Sequence, residues 1–405
     1  MFFDQVQQGP HDVMYQLKID ADNDTHPNKV DLGVGIYRNE TGILYELSAV
    51  TQAKEKLAEE NPNHDYEVTT GNSEFVHHAA DLIFGSDSAA VKSGHIASAQ
   101  TISGTGAIHI ALMFLSNSDP SSGLKRTVFV GTPTWGNIVP MCKLTGLEVK
   151  TYNHYLPETG QVDWESILSA VSSAPRGSIL YLQGCCHNPT SADLSRHQWE
   201  KLAQEMKARQ LLPLFDIAYH GLGNGIDEDA FCVRYFERIG LEMIVCQSFS
   251  KNFGLYGERV GAVHAVCENA RAALAVHDQF RFLIRSEFGS SPIYGARIVT
   301  TVLGDPVSKA TWRSEVESLH QRIQSLRKGL YNLLQDVYKT PGNWTAIING
   351  AGLFSLLPLS PDQCSELRND YHIYLVPSGR ITIPGLNEEN LDYVAKSIDS
   401  VVRST

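Results

Sequence analysis

Between Thr127 and Val266 short apolar runs alternate with longer amphipathic ones, and few folds accommodate that alternation. Thr127 to Val130, Ser178 to Gln183, Leu211 to Asp216, Glu242 to Gln247 and Gly261 to Val266 are too short for helices and read as buried strands. Thr105 to Leu115, Trp164 to Ser172 and Ala192 to Gln210 carry helical spacing. Strands separated by helices pair in parallel through crossovers, which cover both sheet faces. An α/β fold with a mostly parallel sheet flanked by helices is expected, with ligands at the carboxyl ends of the strands.

From Asp305 the pattern changes. Trp312, Val316, Leu319, Ile323, Leu326, Leu330, Leu333 and Val337 repeat with 4,3 spacing, as in a coiled coil or a long helix lying along the body. The second reading suits a compact chain, with Pro341-Gly342 ending the helix. The remainder, with strand-like Thr345 to Ile348, Leu353 to Leu357 and Arg380 to Ile383, reads as a smaller α+β unit. Val30 to Gly35 is expected to join it.

With 405 residues the chain has room for two domains. Its 45 acidic against 33 basic residues leave a net charge of −12, which argues against nucleic acid and membrane surfaces and favours small-molecule chemistry. The cysteines, at 142, 185, 186, 232, 246, 267 and 364, show neither CxxC nor zinc-ligand spacing, so they read as reduced thiols rather than disulfides or metal ligands. The first residues lack a basic or Arg-rich leader, and no apolar run reaches the ~18 residues of a membrane span. A cytoplasmic location is expected.

One lysine stands out. Lys251 lies in Ser248-Phe-Ser-Lys-Asn-Phe-Gly-Leu-Tyr-Gly-Glu-Arg259, just after an apolar strand. An ε-amine attacks a carbonyl only when neutral, which burial or a neighbouring cation promotes. Ser248, Ser250 and Arg259 would then hold a phosphate and Lys251 an aldehyde, the two functions of pyridoxal phosphate. Ser-x-x-Lys also occurs with a serine nucleophile in penicillin-binding proteins, but those need Ser-Asp-Asn and Lys-Thr-Gly, and neither is present.

Other candidates surround it in sequence. Ser103-Gly104-Thr105 opens a helix and suits either an anion or a simple N-cap. Asp216 ends a strand, where its carboxylate would pair with a protonated ring nitrogen or close an Asx turn; Tyr219 follows it. Asn188, held before Pro189, is fit to hydrogen-bond a phenolic oxygen. His187 reads as structural. Trp135 either stacks on a planar ligand or packs in the core. Arg285 and Arg380 are able to take carboxylates in two-pronged contacts.

Together these segments resemble the aspartate aminotransferase family of fold-type I pyridoxal-phosphate enzymes. VDLGVGIYRNETG, ISGTGA, PTWGN, HNPTS, FDIAYHG, QSFSKNFGLYGERVG, IRSEF and SGRITIPG stand in the family's order and spacing, from about Val30 to Leu391. The resemblance implies Lys251 as proton carrier, Asp216 on the pyridine nitrogen, and Asn188 with Tyr219 on the phenolic oxygen. Ser103, Gly104, Thr105, Ser248 and Arg259 would hold the phosphate, and Trp135 would stack on the ring. Tyr66 would reach the phosphate of a neighbouring subunit, so a homodimer with shared active sites is implied. Arg380 would bind the substrate α-carboxylate, Arg285 of the partner a side-chain carboxylate, and Gly35 would belong to a closing loop. The implied layout is an N-terminal arm with part of the small domain at 1–44, a large cofactor-binding domain at 45–310, and the long helix with the rest of the small domain at 311–405.

The implied reaction moves the amino group of L-aspartate or glutamate to a 2-oxo acid such as 2-oxoglutarate. Three departures bear on the donor. Ser191 stands where the family usually has glycine, Gly257 where asparagine is common, and Ser286-Glu-Phe-Gly-Ser-Ser-Pro292 replaces a Ser-Asn-Pro-Pro pattern. An aromatic or specialised-metabolite donor is the alternative.

Overall fold

Seven strands form the central sheet of the computed structural model, which describes residues 1–117 and 126–404. They are β1 (Ile96–Ile102), β2 (Thr127–Thr132), β3 (Glu148–Asn153), β4 (Ile179–Gln183), β5 (Leu212–Ile217), β6 (Met243–Ser248) and β7 (Val260–Val266). Their spatial order is β1-β7-β6-β5-β4-β2-β3, and only β7 runs antiparallel to its neighbours. All five expected strands are present. The sequence reading did not mark β1, whose small and polar Ala97, Ser98, Ala99 and Gln100 dilute the apolar signal, or the charged edge strand β3.

The central strands are buried throughout, as a sheet covered on both faces requires. Side chains alternate between two cores: Leu180, Leu182, Phe215 and Val245 face one, while Ile179, Tyr181, Leu214 and Ile244 face the other with α1 (Ser103–Asn117). The parallel strands β4, β5 and β6 end on one edge, so Gln183, Asp216 and Ser248 are delivered side by side; Gln183 is the register partner of Asp216.

The heptad pattern forms one long helix, α3 (Pro306–Asn332), reached after α2 (Ala270–Glu287). Asp305 caps it by accepting the Ser308 N–H at 2.7 Å. It lies along the body instead of pairing in a coiled coil. Trp312 stacks on Phe253 with ring centroids 4.7 Å apart and donates its indole N–H to the Asn252 carbonyl at 2.8 Å, bracing the residues after Lys251. The helix ends in a π-helical turn at Leu333–Val337, before Pro341.

Two expectations are corrected. Thr345 to Ile348 is not a strand but part of a short helix, Thr345–Asn349, opened by the Asn343 side chain and burying Ala346 and Ile347. A four-residue apolar run cannot separate the two states by periodicity. The helix expected from Ala192 starts at Arg196, because Ser195 and Gln198 form a capping box. At the chain ends Val30–Asp31 pairs in parallel with Ile373–Tyr374, and Phe354–Leu356 pairs with Arg380–Thr382. All seven cysteines are free and buried.

Arg327, fully buried on α3, ties these elements together. Its guanidinium donates to the carbonyls of Ile347 at 2.9 Å, Gly352 at 2.8 Å and Phe354, and to the Ser191 hydroxyl at 3.1 Å. Burial pulls it down to about 10, which leaves it charged at neutral pH. Arg327→Met strands those carbonyls, and roughly 3 kcal/mol of unfolding free energy should be lost in urea melts. A loss under about 1 kcal/mol would show that the network is not structural.

Candidate active site

At the carboxyl edge of the sheet a cleft of about 440 Å³, counting its open mouth, is lined by Ser103, Gly104, Thr105, Trp135, Asn188, Asp216, Tyr219, Ser248, Lys251 and Arg259. These are ten of the residues singled out from sequence.

One end of the cleft is built for an anion. The first turn of the 15-residue α1 faces it. Unpaired amides and the helix dipole there favour negative charge. The Ser103 hydroxyl lies 3.1 Å from that of Ser248 and 2.9 Å from that of Ser250. Gly104 permits this approach, since a Cβ there would lie 3.0 Å from the Ser248 Cβ. Ser103 and Arg259 have φ of 60° and 54°, in the left-handed region, and the Ser103 N–H donates to the Arg259 carbonyl at 3.0 Å. Backbone strain of this kind concentrates at binding sites. Arg259 donates to the Tyr256 carbonyl at 2.9 Å and has no carboxylate partner among the described residues, so a half-buried cation faces a polar cradle with no anion of its own.

The other end holds the titratable groups. Burial lowers the Lys251 ammonium to about 8, assisted by Arg259 and opposed by Asp216. Its Nζ lies 5.5 Å from the centre of the Tyr219 ring. Burial raises Asp216 to about 6, against the Tyr181 hydrogen bond and Lys251. At neutral pH the carboxylate is mostly ionised, and about a tenth of the amine is neutral, far more than in a solvated lysine. Asn188 donates to the Tyr219 hydroxyl at 3.5 Å and accepts from Arg380 at 3.4 Å. Arg380 also donates to the Gly33 carbonyl at 2.7 Å and covers the Phe354 ring at 4.4 Å, while its buried Nε has no partner. Gly35 closes on the same ring: a Cβ there would lie 2.5 Å from Phe354 Cζ.

Sequence reasoning missed Tyr181, Gln183 and Phe354, which only tertiary contacts bring to the site; each looks like an ordinary strand residue in its run. Gly35, Ser250 and Arg380 do not line the cleft themselves but adjoin it, Ser250 through Ser103, Arg380 through Asn188 and Gly35 through Phe354, whereas Tyr66 and Arg285 lie apart from it. Tyr66 is 92% exposed, and Arg285 is exposed near the end of α2. Glu287, near Arg285 in sequence, pairs with His109 at 3.0 Å. His187 is structural, stacked on His154 at 3.7 Å, and burial holds both well below the ordinary histidine range.

An anion cradle, a desolvated amine and a buried carboxylate within one cleft fit a planar aldehyde bearing a phosphate. Comparison with known proteins points the same way: the model of aminotransferase classes I and II matches residues 27–398. The chain belongs to this family. It is 46% identical over 404 residues to aminotransferase tasG of Hapsidospora irregularis, covering all of this chain and 97% of that one. To the mitochondrial aspartate aminotransferase of Dictyostelium discoideum it is 40% identical, over 98% and 92% of the two chains. The aromatic-amino-acid aminotransferase of Burkholderia pseudomallei, solved with covalently bound pyridoxal phosphate, superposes with a TM-score of 0.95 at 36% identity, over 99% of this chain and all of that one. The protein is therefore a transaminase that uses pyridoxal phosphate. No described helix is long and apolar enough to cross a membrane.

The lowered amine predicts a pH dependence. A lysine pulled down to about 8 is mostly neutral above that pH. The rate at which cofactor-free protein captures the cofactor aldehyde should climb roughly tenfold per pH unit below the midpoint and level off above it. Stopped-flow absorbance checks this; a midpoint at the ordinary lysine value of 10.5 would mean a solvated amine.

Proposed function

We propose that the chain transfers the amino group of L-aspartate or L-glutamate to a 2-oxo acid such as 2-oxoglutarate, with Lys251 as the proton carrier. The observation behind this reading is that Lys251 and Asp216 line one cleft while Arg380, with an unpartnered buried Nε, donates to Asn188 on its wall. Pyridoxal phosphate, when bound, supplies an aldehyde for the amino group and a ring that delocalises negative charge. Ser103, Gly104, Thr105, Ser248, Ser250 and Arg259 hold its phosphate. Asp216 meets the ring nitrogen, Asn188 and Tyr219 the phenolic oxygen, and Trp135 the ring face.

Arg380 takes the substrate α-carboxylate, its guanidinium oriented by Asn188 and the Gly33 carbonyl. Lys251, free as a neutral amine once substrate has taken its place, would accept the proton from the substrate α-carbon and deliver it to the carbon of the cofactor's aldehyde, two atoms away across the amino nitrogen. Gly35 and Phe354 shield that step from water. A homodimer completes each site: the exposure of Tyr66 and Arg285 in one chain suits residues that serve a neighbour, Tyr66 at the phosphate and Arg285 at a side-chain carboxylate. Residues 45–310 form the cofactor domain, with 1–44 and 311–405 forming the smaller one. The free thiols suit a reducing compartment such as the cytoplasm.

A second reading keeps the chemistry and changes the donor to an aromatic or specialised amino acid. It is supported by the relatives, which include a tyrosine aminotransferase of Klebsiella pneumoniae at 39% identity as well as tasG. A panel of donors with 2-oxoglutarate decides between them: aspartate turns over fastest under the first reading, tyrosine or phenylalanine under the second.

Two variants test the assignments. Lys251→Ala should cut turnover by at least roughly 10⁴-fold while cofactor still binds; near-normal rates would remove the lysine from the chemistry. Arg285→Ala should lower kcat/KM for aspartate roughly a hundredfold, as for a lost charge-assisted contact, and leave alanine unchanged. Equal losses for both donors would exclude it from side-chain recognition.

A further inference from the structure

Asp216 receives a hydrogen bond that its assigned role does not account for. The Tyr181 hydroxyl donates to its Oδ2 at 2.6 Å, and among the described residues no other side-chain or backbone donor reaches the carboxylate. Tyr181 stands on β4, two residues before Gln183, the register partner of Asp216 on β5. It therefore shares a sheet face with Asp216 and sits on the diagonal, a span an aromatic side chain bridges. Asp216 lines the cleft. Tyr181 does not: it borders a small separate cavity with Thr134, Tyr152, His154 and His187, and its ring packs in the core beneath α1.

Among the described residues Asp216 is the one hydrogen-bond partner of that phenol, and burial holds its proton firmly. It acts as a fixed donor. The carboxyl oxygen it meets must accept, which favours the carboxylate over the carboxylic acid and leaves the second oxygen for the cleft.

We propose that Tyr181 is a positioning residue for transamination: its hydroxyl anchors one oxygen of Asp216 from behind, so that the shared proton stays on the cofactor's ring nitrogen instead of moving to the carboxyl. This rests on the assignment of Asp216 to that nitrogen. A carboxylate with one donor already bound is a weaker base than a bare one, and a ring that keeps its proton is the better electron sink. The groups facing Asp216 are Tyr181 from β4, Cys246 from β6, Tyr219 beyond β5, Cys185 beyond β4, and Lys251. Cys246 and Tyr219 are held neutral by burial and Cys185 keeps its proton at neutral pH, so Lys251 is the only cation among them. Tyr181 is the donor that does not titrate near neutral pH.

The test uses the intact holoprotein carrying pyridoxal phosphate labelled with ¹⁵N in the ring, whose resonance reports protonation directly. In Tyr181→Phe, which keeps the ring in the core, the resonance moves towards the unprotonated value. The proton's partition between carboxyl and nitrogen shifts roughly ten- to a hundredfold, the ratio expected for one lost hydrogen bond to a charged group. Affinity falls for pyridoxal phosphate but not for an analogue with carbon in place of the ring nitrogen. An unmoved resonance overturns the proposal, and so does an equal loss of affinity for both ligands, which marks general damage to the core. Asp216→Asn separates the two levels. If it leaves the resonance unmoved, the placement of Asp216 itself fails; if it moves the resonance and Tyr181→Phe does not, only the role of Tyr181 falls.

Discussion

Lys251 and Asp216 face the same cleft, and burial works against the charge of both. Neither settles alone: the amine is pulled down and the carboxyl pushed up, while their mutual attraction opposes each shift. The result is a carboxylate ionised at neutral pH beside an amine that is easily neutral, an arrangement that solvent would erase by restoring both groups to their ordinary values. Much else in the fold maintains that exclusion of water. The parallel strands bring the two groups to one edge, α3 braces the segment after Lys251 through Trp312, and Tyr181 closes Asp216 from behind.

The anion cradle at the other end follows a different logic. There the protein presents polar groups without an anion: a helix N-terminus, the Ser248 and Ser250 hydroxyls joined through that of Ser103, and an arginine lacking a carboxylate partner among the described residues. Two residues adopt left-handed backbone conformations to hold that shape. Strain and unmet charge both cost stability in the empty protein, and a bound dianion offsets them. Cofactor binding should thus be tightly linked to the folded state of the cleft.

Much of the site was legible in the residues because its parts fall at strand ends and helix starts, which sequence patterns mark. Asp216 and Lys251 each follow an apolar run, and Ser103 to Thr105 precede an amphipathic one. Tyr181 was not legible, since a tyrosine inside a strand is indistinguishable from a core aromatic until the neighbouring strand supplies its partner. Arg327 shows the same limit: it occupies a helical position next to Leu326 in the apolar stripe, and only folding sets four acceptors around it. The misread Thr345 segment failed for a more local reason, being too short to show a period.

Order along the chain determined the α/β architecture, the edge of the sheet where the candidate site gathers and the lysine proposed to act there, because each depends on local periodicity or on residue type. Tertiary structure decided the charge states of Lys251 and Asp216, the second partner of Asp216 and the enclosure of Arg380 by Gly33, Asn188 and Phe354. Those are properties of distance and burial between residues far apart in sequence, and electrostatic energies in a dry cleft depend on both.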